Sequence, residues 1–267
     1  MTSVTNLESS QMYAKELAVA QSAAIAAGDY LRENLGKAQV QYEKAHQDFL
    51  LDVDLGAEKI ILDQLQQAFP EYGILSEEAG RSGNPDRYWI VDPLDGSANF
   101  EVGCPLFGTV IALHIDGQTV LGLIYLPMVQ EMYCTIKSAG ATLNGSQMRV
   151  AVTTELANSI VHTSAYNRFN DATMVQRRIA EFGKLYSATK IIRITGTTAM
   201  DLAFVAAGRA VGLVAHTHHP WDIDAGTLLV QEAGGEYSEL TTGEERTLKI
   251  WSNGQLHQSL VAAMTKD

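Results

Sequence analysis

The chain has 267 residues, 46% of them hydrophobic, with a formal net charge of −12. This is enough apolar material for one large domain or two intimate halves, and no apolar run reaches the roughly 18 residues of a transmembrane helix. The acidic balance argues against a general nucleic-acid binder, which needs Lys and Arg to neutralise phosphates, but a phosphorylated small molecule is compatible with it where metal ions supply positive charge.

The opening MTSVTNLESS lacks the basic start and apolar stretch of a secretory signal. The segment from about Leu7 to Leu35 is rich in Ala and Leu and predicts a long helix stopped at Gly36. A second helix is expected from about Asp54 to Phe69, where Leu55, Ile60, Ile61, Leu62 and Leu65 form a broad stripe and Pro70 follows. GTVIALHIDGQTVLGLIYLP predicts two strands around an Asp116-Gly117 turn. EMYCTIKSAGATLNGSQMRV predicts another pair, turned at Asn144-Gly145. Cys104 and Cys134 lack CxxC spacing, so two reduced thiols in a cytoplasmic protein are expected. From about Ser159 strand-like SIVHTSA, KIIRITG and AVGLVAH alternate with helical ATMVQRRIAEF, TTAMDLAFVAAG and DIDAGTLLVQEAGG. That alternation predicts a mainly parallel sheet with covering helices. The expected fold class is α/β: an antiparallel α+β half over residues 1–150 and an α/β half over 151–267, forming one compact unit.

Acidic residues gather at the ends of these elements. Asp54 opens a helix after HQDFLLDV, Glu77 and Glu78 lie in ILSEEAG, Asp92 and Asp95 lie in WIVDPLDGSANF, and Asp222 lies in HPWDIDAG. Each alone has an ordinary reading: Asp54 and Asp222 suit helix capping, and DPLDG suits a turn. Clustered carboxylates repel and raise one another's pKa, a cost that a divalent cation removes by using their oxygens as ligands. The hard-oxygen set points to Mg²⁺, with Mn²⁺ a substitute, and zinc-type His and Cys spacing is absent from it. If Gly96, Ser97 and Ala98 begin a helical turn, their N–H groups are free to bind an anion. Metals beside such a turn define a phosphoryl-hydrolysing site, in which the Ser97 hydroxyl could orient the water.

The combination resembles the inositol monophosphatase family of Mg²⁺-dependent, lithium-sensitive phosphatases. WIVDPLDGSANF is similar to the family's first metal-binding element, and PWDIDAGTLLVQEAGG to its second. ILSEEAG is similar to its paired-glutamate segment, and GTTAMDLAFVAAGRA to the helix between. The resemblance runs from about residue 45 to 235. It implies a layered αβαβα sandwich, a homodimer, and two or three Mg²⁺ ions per site. It implies that Glu77, Asp92 and the Leu94 carbonyl hold the first metal, that Asp92, Asp95 and Asp222 hold the second, and that Glu77 also serves a third. Asp54 and Ser97 would act on the attacking water, making Asp54, Glu77 and Ser97 the catalytic set. Asp95, Gly96, Ser97, Thr197, Thr198 and His216 would meet the substrate. Glu78 is expected to be a neighbour of the ligands rather than one of them.

The chain also departs from the family pattern. Leu51 stands in place of a Thr before the second helix, and Asp52 is added. Asp224 stands where the second element has Ala, and is expected to be an extra solvent-facing acid rather than a group near the metals. Ala215 stands where many inositol phosphatases carry a Glu that contacts substrate hydroxyls, and His216, His218 and His219 follow. These histidines form either a substrate-facing or metal-binding group or a polar loop. Arg193 is read equally as a phosphate contact and as a surface residue. The expected activity is hydrolysis of a small polyol or sugar phosphate. Related leaving groups (histidinol phosphate, fructose 1,6-bisphosphate, 3′-phosphoadenosine 5′-phosphate) are alternatives within the superfamily. A non-catalytic regulator would have lost ligands, whereas every expected ligand position here carries a competent side chain. A role beside transcription machinery, as in some bacterial relatives, would rest on a protein partner, since there is no basic stripe for RNA; neither direct nucleic-acid binding nor membrane association is expected.

Overall fold

Alternate residues along the strands face two different cores, and this sorts the chain into layers. The computed structural model describes residues 11–45, 48–164, 172–217, 219–241 and 247–265. Helix α1 (Ala14–Asn34) is followed by a hairpin of β1 (Val40–Ala45) and β2 (Asp48–Leu51), then by α2 (Asp52–Ala68). The large sheet contains β3 (Gly73–Ser76), β4 (Gly80–Ser82), β5 (Arg87–Asp95), β6 (Gly108–Ile115), β7 (Gln118–Leu126), β8 (Glu131–Ile136), β9 (Ala141–Leu143) and β10 (Ser146–Gln147). Its strand order is β10-β9-β8-β7-β6-β5-β3-β4, antiparallel except for the β3–β5 pair. A short helix, α3 (Ser97–Glu101), links β5 to β6.

The second half runs β11 (Ile160–Thr163), α4 (Ala172–Ala188), β12 (Ile191–Arg193), α5 (Thr198–Ala206), β13 (Gly212–Ala215), α6 (Pro220–Glu232), β14 (Glu236–Thr241), β15 (Thr247–Ser252) and α7 (His257–Thr265). Its sheet has the order β12-β11-β13-β15-β14. The first three strands are parallel, as the alternation predicts, but β15 runs antiparallel to β13, and β14 antiparallel to β15. The expectation of a mainly parallel sheet is corrected on this edge. The reason is a hairpin: β14 and β15 follow each other directly, and consecutive strands without a crossover pair antiparallel. The predicted first helix is described from Ala14 onward, and its expected start at Leu7 lies outside the described residues.

Three cores separate five layers. Trp89, Val91, Ile111, Leu113, Leu121 and Leu123 face α1 and α2, joining Ala23, Ala27, Leu31, Ile61 and Leu65. Their neighbours Ile90, Val110, Ala112 and Ile124 face the other way, onto Met200, Leu202, Leu229, Leu213 and Trp251. Val161, Val214, Leu248 and Ile250 turn outward to Leu185 and Leu260. The order is therefore α1/α2, large sheet, α5/α6, small sheet, α4/α7, which is the expected αβαβα sandwich. Helix α6 lies tight on the large sheet at Gly122, where a Cβ would stand 2.8 Å from the Ala225 carbonyl oxygen. Among the described residues no helix is long and apolar enough to cross a membrane.

Candidate active site

In a regular strand residues three apart face opposite sides, so Asp92 and Asp95 could not point to one place. The β5–β6 register resolves this. Asp92 pairs with Val110 and Asp95 with Gly108, so three steps on β5 match two on β6. That β-bulge turns the second carboxylate to the side of the first. The strand therefore runs through Pro93 to Asp95 rather than ending at Pro93, as the turn-like sequence suggests. The irregular stretch is held by the Thr109 hydroxyl, which donates to the Pro93 carbonyl at 3.0 Å, and by the Leu94 N–H, which donates to Asp92 Oδ1 at 3.0 Å. Gly96 then takes φ = +100° as the residue before α3, with a position for Cβ only 2.9 Å from the Leu106 carbonyl oxygen. A side chain there meets both backbone strain and a clash, so glycine keeps the turn closed. Ser97 opens α3, whose first-turn N–H groups have no partners within the helix.

The other acids arrive on separate elements. The Glu77 N–H donates to the Val91 carbonyl at 3.1 Å, tying the ILSEEAG loop to β5 beside Asp92. Asp54 is the third residue of α2, buried at 3% exposure, and accepts the Leu51 N–H at 2.6 Å. Leu51 has no acceptor, so only this half of a capping box exists. Leu51 itself is buried in the first core, and the added Asp52 accepts the Gln39 N–H at 2.9 Å. These two departures from the family pattern are thus structural. Helix α3 packs beside β2, the strand that leads into Asp54, which brings the Ser97 turn to the same end of the sheet. Asp222 is the third residue of α6 and is hydrogen-bonded by the Thr217 hydroxyl.

Four of the acids feel one another's charge. Burial raises the Asp92 carboxyl well above its ordinary range, and Glu77, Asp95 and Asp222 push it further up. Asp92 also shares a hydrogen bond with Glu77. Burial pushes Asp95 up to about 6, against the Thr197 hydroxyl and Ala199 N–H that draw it down, while Asp201 and Glu77 add to the rise. Those two donors contact Asp95 Oδ2 at 2.6 and 2.5 Å. Acids that repel one another in this way, one buried and three half-buried, are a donor set that fits a hard divalent cation. As they stand, no three His, Cys, Asp or Glu side chains among the described residues form a finished metal cage. The fit rests on charge and on oxygen chemistry.

The remaining sequence candidates divide. Thr197 is buried at 3% exposure and its hydroxyl is donated to Asp95, so it braces that carboxylate. Behind it the Thr195 hydroxyl lies 2.7 Å from Asp201, which pairs with the buried His162. Thr198, half-buried, begins α5. Ala215 is fully buried in the middle core and offers no acceptor. His216 Nε2 lies 2.9 Å from Glu181 on α4. His219 is exposed and stacks on Trp221 at 4.7 Å, and His218 lies outside the described residues. No metal group forms from the described histidines. Arg193 is exposed at the end of edge strand β12. Asp224 corrects its expectation: it is not a solvent-facing acid but pairs with His114 Nε2 at 2.9 Å, both side chains being mostly buried. The sequence reading missed Thr109, Thr217 and Asn99. Asn99 Nδ2 lies 2.7 Å from the Leu106 carbonyl and 2.9 Å from that of Thr195, joining the two halves behind the Gly96–Ser97 turn. Its place inside the DPLDGSANF run is the one signal that could have found it.

Comparison with known proteins matches this arrangement. The family model described as inositol monophosphatase family matches residues 12–266. Nus factor SuhB of Escherichia coli is 36% identical over 255 residues, which cover 93% of this chain and 95% of that protein. An inositol-1-monophosphatase of Mesorhizobium japonicum is 38% identical over 84% of this chain and 85% of its own length. Among solved structures, the extragenic suppressor protein SuhB of Bartonella henselae superposes with a TM-score of 0.88 at 33% identity, covering 94% of this chain and 99% of that one. The inositol monophosphatase of Anabaena superposes at 0.78 with 34% identity, covering 94% and 95%. With the family model matching nearly its whole length and its fold superposing on solved members, this chain belongs to the inositol monophosphatase family and is a phosphatase.

Proposed function

We propose that the protein hydrolyses the phosphomonoester of a small polyol or sugar with the help of Mg²⁺, two or three ions per site, for which Mn²⁺ can substitute. The observation that carries this reading is the mutually repelling set of buried Asp92 with half-buried Glu77, Asp95 and Asp222 beside the Gly96–Ser97 turn. Glu77, Asp92, the Leu94 carbonyl, Asp95 and Asp222 would hold the cations. Bound there, they would supply Lewis-acid activation of water and stabilisation of the leaving oxygen. The N–H groups of Gly96 and Ser97 orient the phosphoryl oxygens, as free donors at a helix start do. The Ser97 hydroxyl aligns the attacking water and the Asp54 carboxylate takes its proton. Water attacks phosphorus in line, the ester P–O bond breaks, and the leaving oxygen takes up a proton.

The buried Ala215 argues against assuming inositol phosphate as the substrate, because it presents no acceptor for ring hydroxyls. The test is phosphate release, with Mg²⁺ and with EDTA, from inositol 1-phosphate, glycerol 2-phosphate, fructose 1,6-bisphosphate, histidinol phosphate and 3′-phosphoadenosine 5′-phosphate. A single Mg²⁺-dependent favourite supports the reading and names the substrate; equal release in EDTA sinks it. The free cysteines support a cytoplasmic protein, and the family resemblance supports a homodimer, which sedimentation tests. The relatives named Nus factor favour a second, compatible role with a transcription partner, which an affinity pull-down would test.

A further inference from the structure

Glu58 has no part in the chemistry described so far. It lies one helical turn beyond Asp54 on α2, with only 6% exposure. Its Oε1 gathers three donors from a single loop: the Ser76 hydroxyl, the Glu78 N–H at 3.2 Å and the Ala79 N–H at 3.0 Å. Two backbone amides and a hydroxyl around one carboxylate oxygen form a charge-assisted clamp. The clamped residues lie on both sides of Glu77. Glu77 in turn lies within hydrogen-bond reach of Asp92, so the course of this loop decides where the two carboxyls meet. The clamp fixes the backbone immediately before and after Glu77, adding to the tie that the Glu77 N–H makes to the Val91 carbonyl.

We propose that Glu58 is a positioning residue that holds Glu77 ready for a cation before the cation arrives. The inference rests on the metal reading of the site given above. A ligand held in place loses less freedom on binding, so the clamp acts on metal affinity more than on the turnover of the loaded enzyme. Removing it leaves two N–H groups near the site without their acceptor and loosens the backbone on either side of Glu77.

The test is calorimetric titration of the substrate-free protein with Mg²⁺, for wild type, Glu58→Ala, Glu58→Gln, Ser76→Ala and Asp92→Asn, with phosphatase activity followed against Mg²⁺ concentration in parallel. Glu58→Ala is expected to weaken Mg²⁺ binding about 10–100-fold, the range for residues that orient metal ligands. Saturating Mg²⁺ should restore most of its kcat. Glu58→Gln keeps an acceptor oxygen and should recover much of the affinity. Ser76→Ala removes one donor without stranding an amide and should weaken binding by a few-fold; it decides the matter if Glu58→Ala does not fold. If Asp92→Asn abolishes binding while the Glu58 and Ser76 variants bind as wild type, Glu58 does not position the ligand and the inference falls. If Asp92→Asn itself binds Mg²⁺ normally, the metal reading fails first, and the inference with it.

Discussion

Asp95 gives a measurable link between acidity and stability. Its carboxyl has an ordinary value of 3.8 and is pushed up to about 6 in the folded chain. The folded state therefore binds this proton more tightly than the unfolded state. The associated stability is fully present below about pH 4 and is lost as pH rises to about 6. That rise from 3.8 to about 6 corresponds to about 3 kcal/mol, of which about 2 kcal/mol appears between about pH 4.5 and 7.5, since the unfolded carboxyl is already mostly ionised at the lower pH. Asp92, raised by burial and by the same neighbours, acts in the same direction. Asp95→Asn keeps an oxygen to accept from Thr197 and Ala199 but carries no charge. Urea unfolding in EDTA should show the variant gaining at least about 2 kcal/mol on wild type over that interval. Millimolar Mg²⁺ should erase most of the gain by favouring the ionised wild type. A variant that gains nothing, or loses ground, as pH rises would refute the account of a charge held against its will in a closed cluster.

Other expectations follow from the same geometry. Asp92→Asn should fold normally and lower kcat by more than about 100-fold, because it alters a direct ligand where supporting residues alone cost 10–100-fold; near-normal phosphate release would contradict the ligand assignment. Gly96→Ala should destabilise the protein by about 1–3 kcal/mol and weaken phosphate binding, as its methyl group meets the Leu106 carbonyl in a left-handed backbone; circular-dichroism melts and a product-inhibition assay read the two effects. The Cys134 thiol is buried and pushed up to about 11, whereas Cys104 is half-exposed, so a thiol reagent at neutral pH should titrate one group in the native protein and two in urea.

Much of the site could be read from short runs of residues, because the bulge, turn and helix starts that carry the acids are local. Asp92, Asp95 and Gly96 lie within five residues of sequence, and Asp222 announces itself at the start of a clear helix. The partners of these acids were not legible, since they depend on approach from afar. Glu58, within DLGAEKI, has the look of an ordinary solvated helix acid until a loop 18 residues on folds over it. Asp224 gives no sign of His114, which is on the other side of a layer boundary. Thr197 looks like a helix cap, and it is one, but its hydroxyl also reaches Asp95. The small sheet shows the same limit. Strands β11 to β13 alternate with helices and are plain in the sequence. The half-exposed β14, EYSELT, mixes charges with polar residues and carries no strong period to mark it.

The hydrogen bond from Thr197 to Asp95 joins residues 102 positions apart. Closing so long a loop is entropically slow, and it cannot begin until the later residue exists. At the roughly 5–20 residues per second of protein synthesis, Asp95 leaves the ribosome about 5–20 seconds before its brace does. During that interval the large sheet can pair from β5 through β10 with nearest-neighbour hairpins, while its cluster of acids has no Thr197 to fix it. The catalytic centre is thus a late product of folding, completed on a scaffold already in place. A nascent chain released before residue 199 would carry Glu77, Asp92 and Asp95 but lack Asp222 and the Ala199 N–H that steadies Asp95.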